Sequence, residues 1–212
     1  MTQESFLSRK FTNGQPMVTL ESGICVQQQG VPVDTYFRKV SIDMVLTKEE
    51  LISALQHEVN ILVHLASKID RQKLDYRPTP KQRSTMELLQ YLVVMGPSLV
   101  RSVKAGAFDV PAWQEATEKA KASNFDQVVA AIEKQRDTYA ELLGGFSDAD
   151  FRGEIDLFGR GKSSRGKIIV TMVLGGHAAY RTQLFLYLKA CGRDELNTMN
   201  LWAGIDAPMP NM

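Results

Sequence analysis

"HAAYRTQLFLYLKACG" (residues 177–192) decides how the rest of the chain is read. Leu174, Leu184 and Leu188 recur at helical spacing through and just before it, so the stretch belongs to an amphipathic helix. That helix is expected over about residues 167–191, with Gly192 as the residue that ends it. The same inward face carries His177 and Arg181, one turn apart. An inward guanidinium cannot shed its charge, so it needs a carboxylate, backbone carbonyls or a water-filled cleft. A lone histidine on an apolar face is ordinarily a core histidine with its hydrogen bonds satisfied. Arg181 beside it leaves two readings open, a polar pocket between helices or a buried ion pair. The candidate carboxylates are Glu133 and Asp137.

Working outward, "TKEE" sets Thr47 as N-cap with Glu50 three residues on, a capping box that opens a helix. Leu51, Leu55, Leu62, Ala66 and Ile69 form its inward stripe. "DYRPTPKQRS" is a loop, because its prolines forbid helix. Ser84 and Glu87 form a second capping box, and a helix follows to about Lys104 with Leu88, Leu92, Leu99 and Val103 inward. Pro97 should kink or interrupt it. A polar connection with a short helix after Pro111 leads to Asn124 and Gln127. These start a third long helix through Val128, Ile132, Tyr139 and Leu142 to Gly144-Gly145. Residues 147–166 read as loop, and after the last helix Trp202 is expected to pack back on the bundle.

Four long amphipathic helices with long connections predict an all-α fold. The expectation is a four-helix bundle with long crossover connections, plus an irregular or short-β N-terminal extension. Residues 1–46 form the extension, in which Ser22-Gly23 could turn a short hairpin. Residues 47–212 form the bundle and its C-terminal tail.

Composition excludes several function classes. The 212 residues are 44% hydrophobic and 23% charged, which argues against wholesale disorder. A net charge of +1 gives no footprint for nucleic acid or an anionic membrane. No apolar run reaches the roughly 18 residues of a membrane span. The opening "MTQESFLSRKFTNGQ" has no apolar signal core, so a cytoplasmic protein is expected. Cys25 and Cys191 suggest neither a disulfide framework nor a zinc knuckle.

Among motifs, "GKSSRGK" (residues 161–167) approaches a phosphate-binding loop. Ile168 stands where the metal-binding hydroxyl should be, and no parallel-sheet pattern surrounds it. A solvated loop capping the last helix is the better reading. His57 and His64 share the face opposite the first helix's stripe, facing solvent or an oligomer contact. Tyr91 and Tyr180 sit at the edges of their apolar faces, where a tyrosine usually packs with its hydroxyl in water.

Over residues 47–205 the chain resembles the DinB/YfiT-like superfamily of four-helix bundles. The likeness is strongest in "RTQLFLYLKACG", which has Arg-x-Gln, a leucine-rich run, "YL", a basic residue and a closing Gly. "LDYRPTPKQRSTMELLQYL" adds to it, resembling the link into helix two. The resemblance implies a homodimer. In metal-binding members it also implies one histidine from helix two and an HxxxH pair on the last helix, holding a divalent metal such as Zn or Ni. Here the helix-two position falls on Tyr91. The pair falls on Gly176 and Tyr180, or in a second register on His177 and Arg181. At most one histidine survives in either register. The favoured expectation is therefore a bundle with no metal and no other cofactor. A small polar pocket near Tyr91, His177, Tyr180 and Arg181 would bind a small anionic ligand or serve an interaction role. Two alternatives stand beside it. One is a metal-dependent enzyme of the thiol-dependent transferase, isomerase or hydrolase type. The other is a purely structural His177–Arg181 network.

Overall fold

The computed structural model describes residues 46–208 and the backbone of residues 11–12 and 15–16. The chain divides into two units, residues 1–44 and 45–212. In the first, β1 (Phe11–Thr12) pairs antiparallel with β2 (Gln15–Pro16), with Thr12 opposite Gln15. The residues between them in sequence are Asn13 and Gly14, the pair best suited to a two-residue hairpin. The turn expected at Ser22-Gly23 lies outside the described residues.

The second unit is the helical bundle. Its first helix, α1 (Lys48–Ala66), opens on the capping box: the Thr47 hydroxyl accepts from the Glu50 amide, and the Glu50 carboxylate accepts from the Thr47 amide. Ser84 and Glu87 repeat the device at the start of α2 (Thr85–Ala105). A third box, Asn124 with Gln127, starts α4 (Phe125–Glu133). After a break at Lys134, α5 (Gln135–Gly144) continues the same rod. One uninterrupted third helix was expected. Beyond the break Leu143 is fully buried, while Leu142 is only half-buried.

The last rod is composite. It begins as α7 (Arg165–Ile168), passes through a π-helical turn (Ile169–Leu174) and continues as α8 (Gly175–Ala190). A π turn adds a residue per turn and shifts the inward register. Ile169 and Val173 are therefore fully buried, Val170 is 38% exposed, and Leu174, expected inward, is only half-buried. Helix α1 packs on α5 and α8, while α2 packs on α4, on α8 and on the π turn. The core between them includes Leu55, Leu62, Leu88, Leu92, Ile132 and Leu184.

The connections carry more structure than a loop reading allows. Asp109 caps α3 (Val110–Lys121), a twelve-residue helix lying along α2. Ser147 caps α6 (Asp148–Arg152), and β3 (Glu154–Ile155) pairs antiparallel with β4 (Ser163–Ser164). Local hydrogen bonds drive this, not helical periodicity. Asp156 accepts the amides of Arg160 and Gly161 and so closes the hairpin loop. Gly159 and Gly161 both adopt positive φ there, at 67° and 102°. In the "GKSSRGK" segment, Ser163-Ser164 are thus the second strand of a hairpin, Ser164 caps the last rod that begins at Arg165, and Asp156 already accepts the Gly161 amide. After α8, α9 (Thr198–Trp202) begins a tail that returns to α1.

Helix α2 passes through Pro97 without interruption. Proline has no amide, so the carbonyl of Val93, four residues earlier, loses its helical donor. Gln135 answers it: its Nε2 donates to the Leu92 carbonyl at 2.9 Å and to the Val93 carbonyl at 3.2 Å. Gln135→Leu is expected to cost about 1–3 kcal/mol in urea unfolding. The cost should fall by more than half in a Pro97→Ala background, where a new amide covers Val93. Equal costs in the two backgrounds would remove Gln135 from this role.

Candidate functional site

The structure does not gather Tyr91, His177, Tyr180 and Arg181 into one pocket. It distributes them over three clusters.

The first cluster is buried. His177 is 0% exposed, and its Nε2 lies 2.5 Å from the Tyr139 hydroxyl, which lies 3.2 Å from Gln135 Oε1. Tyr139 has one proton to give. With that proton on Gln135, His177 Nε2 must be the donor in the short contact. A single chain of donors then runs from His177 through Tyr139 and Gln135 to the α2 carbonyls. His177 Nδ1 is left as a buried lone pair with no hydrogen-bond partner. Burial pushes the imidazole down to about 4, so it is neutral at ordinary pH, and burial pushes the Tyr139 phenol up. Gly96 makes this approach possible, because a Cβ there would meet the Tyr139 hydroxyl at 1.8 Å and His177 Nε2 at 2.8 Å.

The second cluster is an ion pair. Arg181 Nη1 lies 3.1 Å from Glu58 Oε1, with the two residues 3% and 8% exposed. The partner is thus on α1, and neither Glu133 nor Asp137 serves. Glu133 instead pairs with Arg136 on the surface. The Trp202 ring covers the guanidinium at 4.9 Å, so the tail does return to the bundle, although Trp202 stays 61% exposed. Glu58 Oε2 and Arg181 Nε are buried without hydrogen-bond partners. Burial raises the Glu58 carboxyl above its usual range, and Arg181 only partly opposes this.

The tail also explains the two outer histidines. His57 Nε2 contacts the Trp202 carbonyl at 3.0 Å, and Asn200 Nδ2 donates to His64 Nε2 at 3.1 Å. Asp206 pairs with Lys68 and accepts from Asn200, while Gly204 rests on the Ile61 backbone. His57 stays exposed on the face expected to meet solvent, while His64 is half-buried, and the tail crosses that face.

The third cluster is open to solvent. Tyr91 and Tyr180 meet edge to face with centroids 5.1 Å apart, and Trp113 of α3 lies 6.3 Å from Tyr91. The Arg83 guanidinium stacks on the Tyr91 ring at 4.0 Å. Burial, then the hydrogen bond to Tyr180, pushes the Tyr91 phenol up to about 12. Beside them opens a cleft of about 370 Å³ between α2 and α3, lined by Arg83, Glu87, Gln90, Tyr91, Trp113 and Lys121, among others. Of the expected four residues only Tyr91 lines it. Arg83, Trp113 and Lys121 were not singled out in the sequence, because nothing local shows that the short helix expected after Pro111 packs beside the start of α2.

No family model matches the sequence, and no curated protein matches it either. Among solved structures, the crystal structure of a DinB-like protein, YjoA of Bacillus subtilis, superposes with a TM-score of 0.55. The match covers 69% of this chain and 94% of that one, at 19% identity.

The chain has a DinB-like fold.

The DinB-like resemblance implies a metal between helix two and the last helix, and the residues there do not fit one. Tyr91 and Tyr180 do face each other, which supports the register that puts the third position at Gly176. A Cβ at Gly176 would meet Met95 Cε at 3.1 Å and Sδ at 3.3 Å. The available donors are thus two phenols, one of them under a guanidinium, and a thioether, a poor set for a divalent cation. In the other register His177 Nε2 is engaged by Tyr139 and Arg181 by Glu58. Among the described residues no group of three or more His, Cys, Asp or Glu side chains is arranged to hold a metal ion.

Two outcomes follow for the buried clusters. Arg181→Met should destabilise by about 3–5 kcal/mol in denaturant unfolding, because Glu58 is left charged and buried. Adding Glu58→Leu should recover most of that loss, and a double variant as weak as the single would contradict a pairing role. His177 adds a pH dependence. Its folded value of about 4 lies below the ordinary 6.5, so its contribution is full above pH 6.5 and is lost as pH falls through 4. The size is roughly 3 kcal/mol at most. Glu58 shifts with pH in the opposite sense, so the informative quantity is a difference. The stability gap between wild type and His177→Gln should narrow from pH 6.5 to 4.5, and a constant gap would show that His177 does not titrate this way.

Proposed function

We propose that the protein binds small organic anions in the α2–α3 cleft, and that recognition there is carried by side chains and needs no metal. The observation that carries this reading is Arg83. Its guanidinium sits over the Tyr91 ring at the cleft wall, without an ion-pair partner within 4 Å among the described residues. A stacked guanidinium keeps its edge donors free and aligned for a carboxylate or phosphate.

Of the other charges in the cleft, Lys121 favours the same ligand, while the anionic Glu87 is already taken up by partners of its own. Glu87 is engaged in the Ser84 capping box and by Arg77, and these hold its carboxyl below the usual range. Among the described residues the Lys121 ammonium pairs with the exposed Glu118 alone, a contact worth about 0–1 kcal/mol, so it is free to turn toward a bound anion. Tyr91 and Trp113 supply flat apolar walls, and the volume suits a small organic molecule. In this reading Tyr91 contacts the ligand and Tyr180 buttresses it, while His177 and Arg181 hold the bundle together.

The reading extends to a cytoplasmic homodimer. Met172, Gly175, Ala179, Thr182 and Leu186 form an exposed, uncharged stripe along the last rod, the kind of face a second copy would cover. None of the described helices is long and apolar enough to cross a membrane.

The test is calorimetric titration with benzoate and phenyl phosphate. Arg83→Ala should weaken the tighter of the two by about 10- to 100-fold, the usual worth of a charge-assisted hydrogen bond. The thermal midpoint should stay unchanged, since Arg83 is exposed. Unaltered binding in Arg83→Ala, or no binding of either probe to the wild type, would dismiss the proposal.

A further inference from the structure

Beyond the anion itself, we infer that the ligand is an amphiphile: a carboxylate whose apolar body lies along an aromatic track leading out of the cleft. The inference rests on the α2–α3 reading above for its charged end, and on a separate observation for its apolar end. Four rings form an unbroken run. Tyr91 contacts Trp113 at 6.3 Å, Trp113 contacts Phe108 at 5.4 Å, and Phe108 contacts Phe158 at 5.2 Å. The run crosses from α2 to α3 and on to the β3–β4 hairpin loop, so three separately folded segments present their rings to one line.

The inner rings Tyr91, Trp113 and Phe108 border the core, but the outer end of the run does not belong to it. Phe158 is 45% exposed and Val110, on the first turn of α3, is 49% exposed, while Phe108 and Trp113 are half-buried. Large side chains left in water at a loop tip and a helix start cost solvation free energy and do nothing for the bundle interior. Their hairpin is rigidly made: Asp156 clamps two amides, and Arg165, next to β4, donates to the Val103 carbonyl at 3.1 Å. Phe158 is therefore held against Phe108 by a closed loop.

Polarity changes in order along this line. Arg83 and Lys121 stand at the cleft and supply the cationic end, the Tyr91 and Trp113 rings follow, and the Phe108 and Phe158 rings finish it. A short hydrophilic anion would use only the first part. A molecule with a carboxylate at Arg83 and an acyl or aryl body along the rings would use all of it. The edge-to-face and tilted ring geometry leaves ring faces available to a flexible chain.

The experiment compares butyrate, decanoate and decanol, read by Trp113 fluorescence in a Trp202→Phe variant and repeated by calorimetry on the unmodified chain. Decanoate should bind at least about tenfold tighter than butyrate, because each buried methylene contributes up to about fourfold. Phe158→Ser should remove at least threefold of that advantage and leave butyrate unchanged, since Phe158 lies beyond the cleft. Arg83→Ala should weaken both carboxylates. Equal affinity for butyrate and decanoate would overturn the amphiphile while leaving the anion cleft standing. Decanol binding as tightly as decanoate, with Arg83→Ala silent, would instead overturn the anion reading. Decanoate failing to bind while the protein adsorbs to anionic phospholipid vesicles would assign the track to a membrane surface and overturn the inference.

Discussion

A single missing amide organises the centre of this bundle. Pro97 deprives the Val93 carbonyl of its helical donor, and a buried carbonyl left bare costs about 1–3 kcal/mol. Gln135 supplies the donor from the neighbouring rod, and its own carbonyl oxygen must then find a proton, which Tyr139 gives. Tyr139 in turn takes one from His177 on the last rod. Each partner is required by the one before it, and the sequence of debts crosses from α2 through α5 to α8. Gly96, the residue before Pro97, leaves the space in which two of those side chains meet. The Gly96-Pro97 pair therefore sets both the chemistry and the spacing of three helices.

Two further devices complete the interior. The π turn rotates the inward register so that Ile169, Val173, His177 and Arg181 fall on one line at four-residue intervals. That line brings Arg181 to α1 and Glu58, one turn beyond the histidine. The tail then closes the outside of α1. His57, Ile61, His64 and Lys68 lie along one helical face, and each meets part of residues 200–206. Trp202 sits at the end of this strap and shields the guanidinium.

Much of this was legible in the residues. Capping boxes at Thr47, Ser84 and Asn124 are local hydrogen-bond patterns and mark helix starts directly. The amphipathic spacing gave the four rods and the all-α class, and an inward arginine correctly implied a polar partner. The partner was not legible, because Glu58 lies 123 positions away and nothing local distinguishes it from the surface carboxylates. The π turn was hidden for a related reason: a 3.6-residue period assumed throughout predicts Leu174 inward where Val173 is found. Helix α3 was expected only as a short helix after Pro111, because its one buried residue, Ala120, leaves almost no apolar stripe to show its length. Nothing local in the sequence then pairs it with α2 as the wall of a cleft. The Gly96-Pro97 pair was readable in principle, since a proline within a helix always frees the carbonyl four residues before it.

Magnitudes decide between the two arginines as anion clamps. Arg181 was the natural candidate from its inward position, but engaging a ligand there means leaving Glu58 buried and unpaired. That costs about 3–5 kcal/mol, or roughly two to four orders of magnitude in affinity. Trp202 would also have to leave the guanidinium. Arg83 carries neither cost: it is already desolvated on one face by Tyr91, and its edge faces an open cleft. The same physics that makes Arg181 valuable to the fold disqualifies it for reversible binding. On the anion-binding reading proposed above, recognition is displaced from the bundle interior, where the resemblance to metal-binding proteins would put it, to the outer groove between α2 and α3.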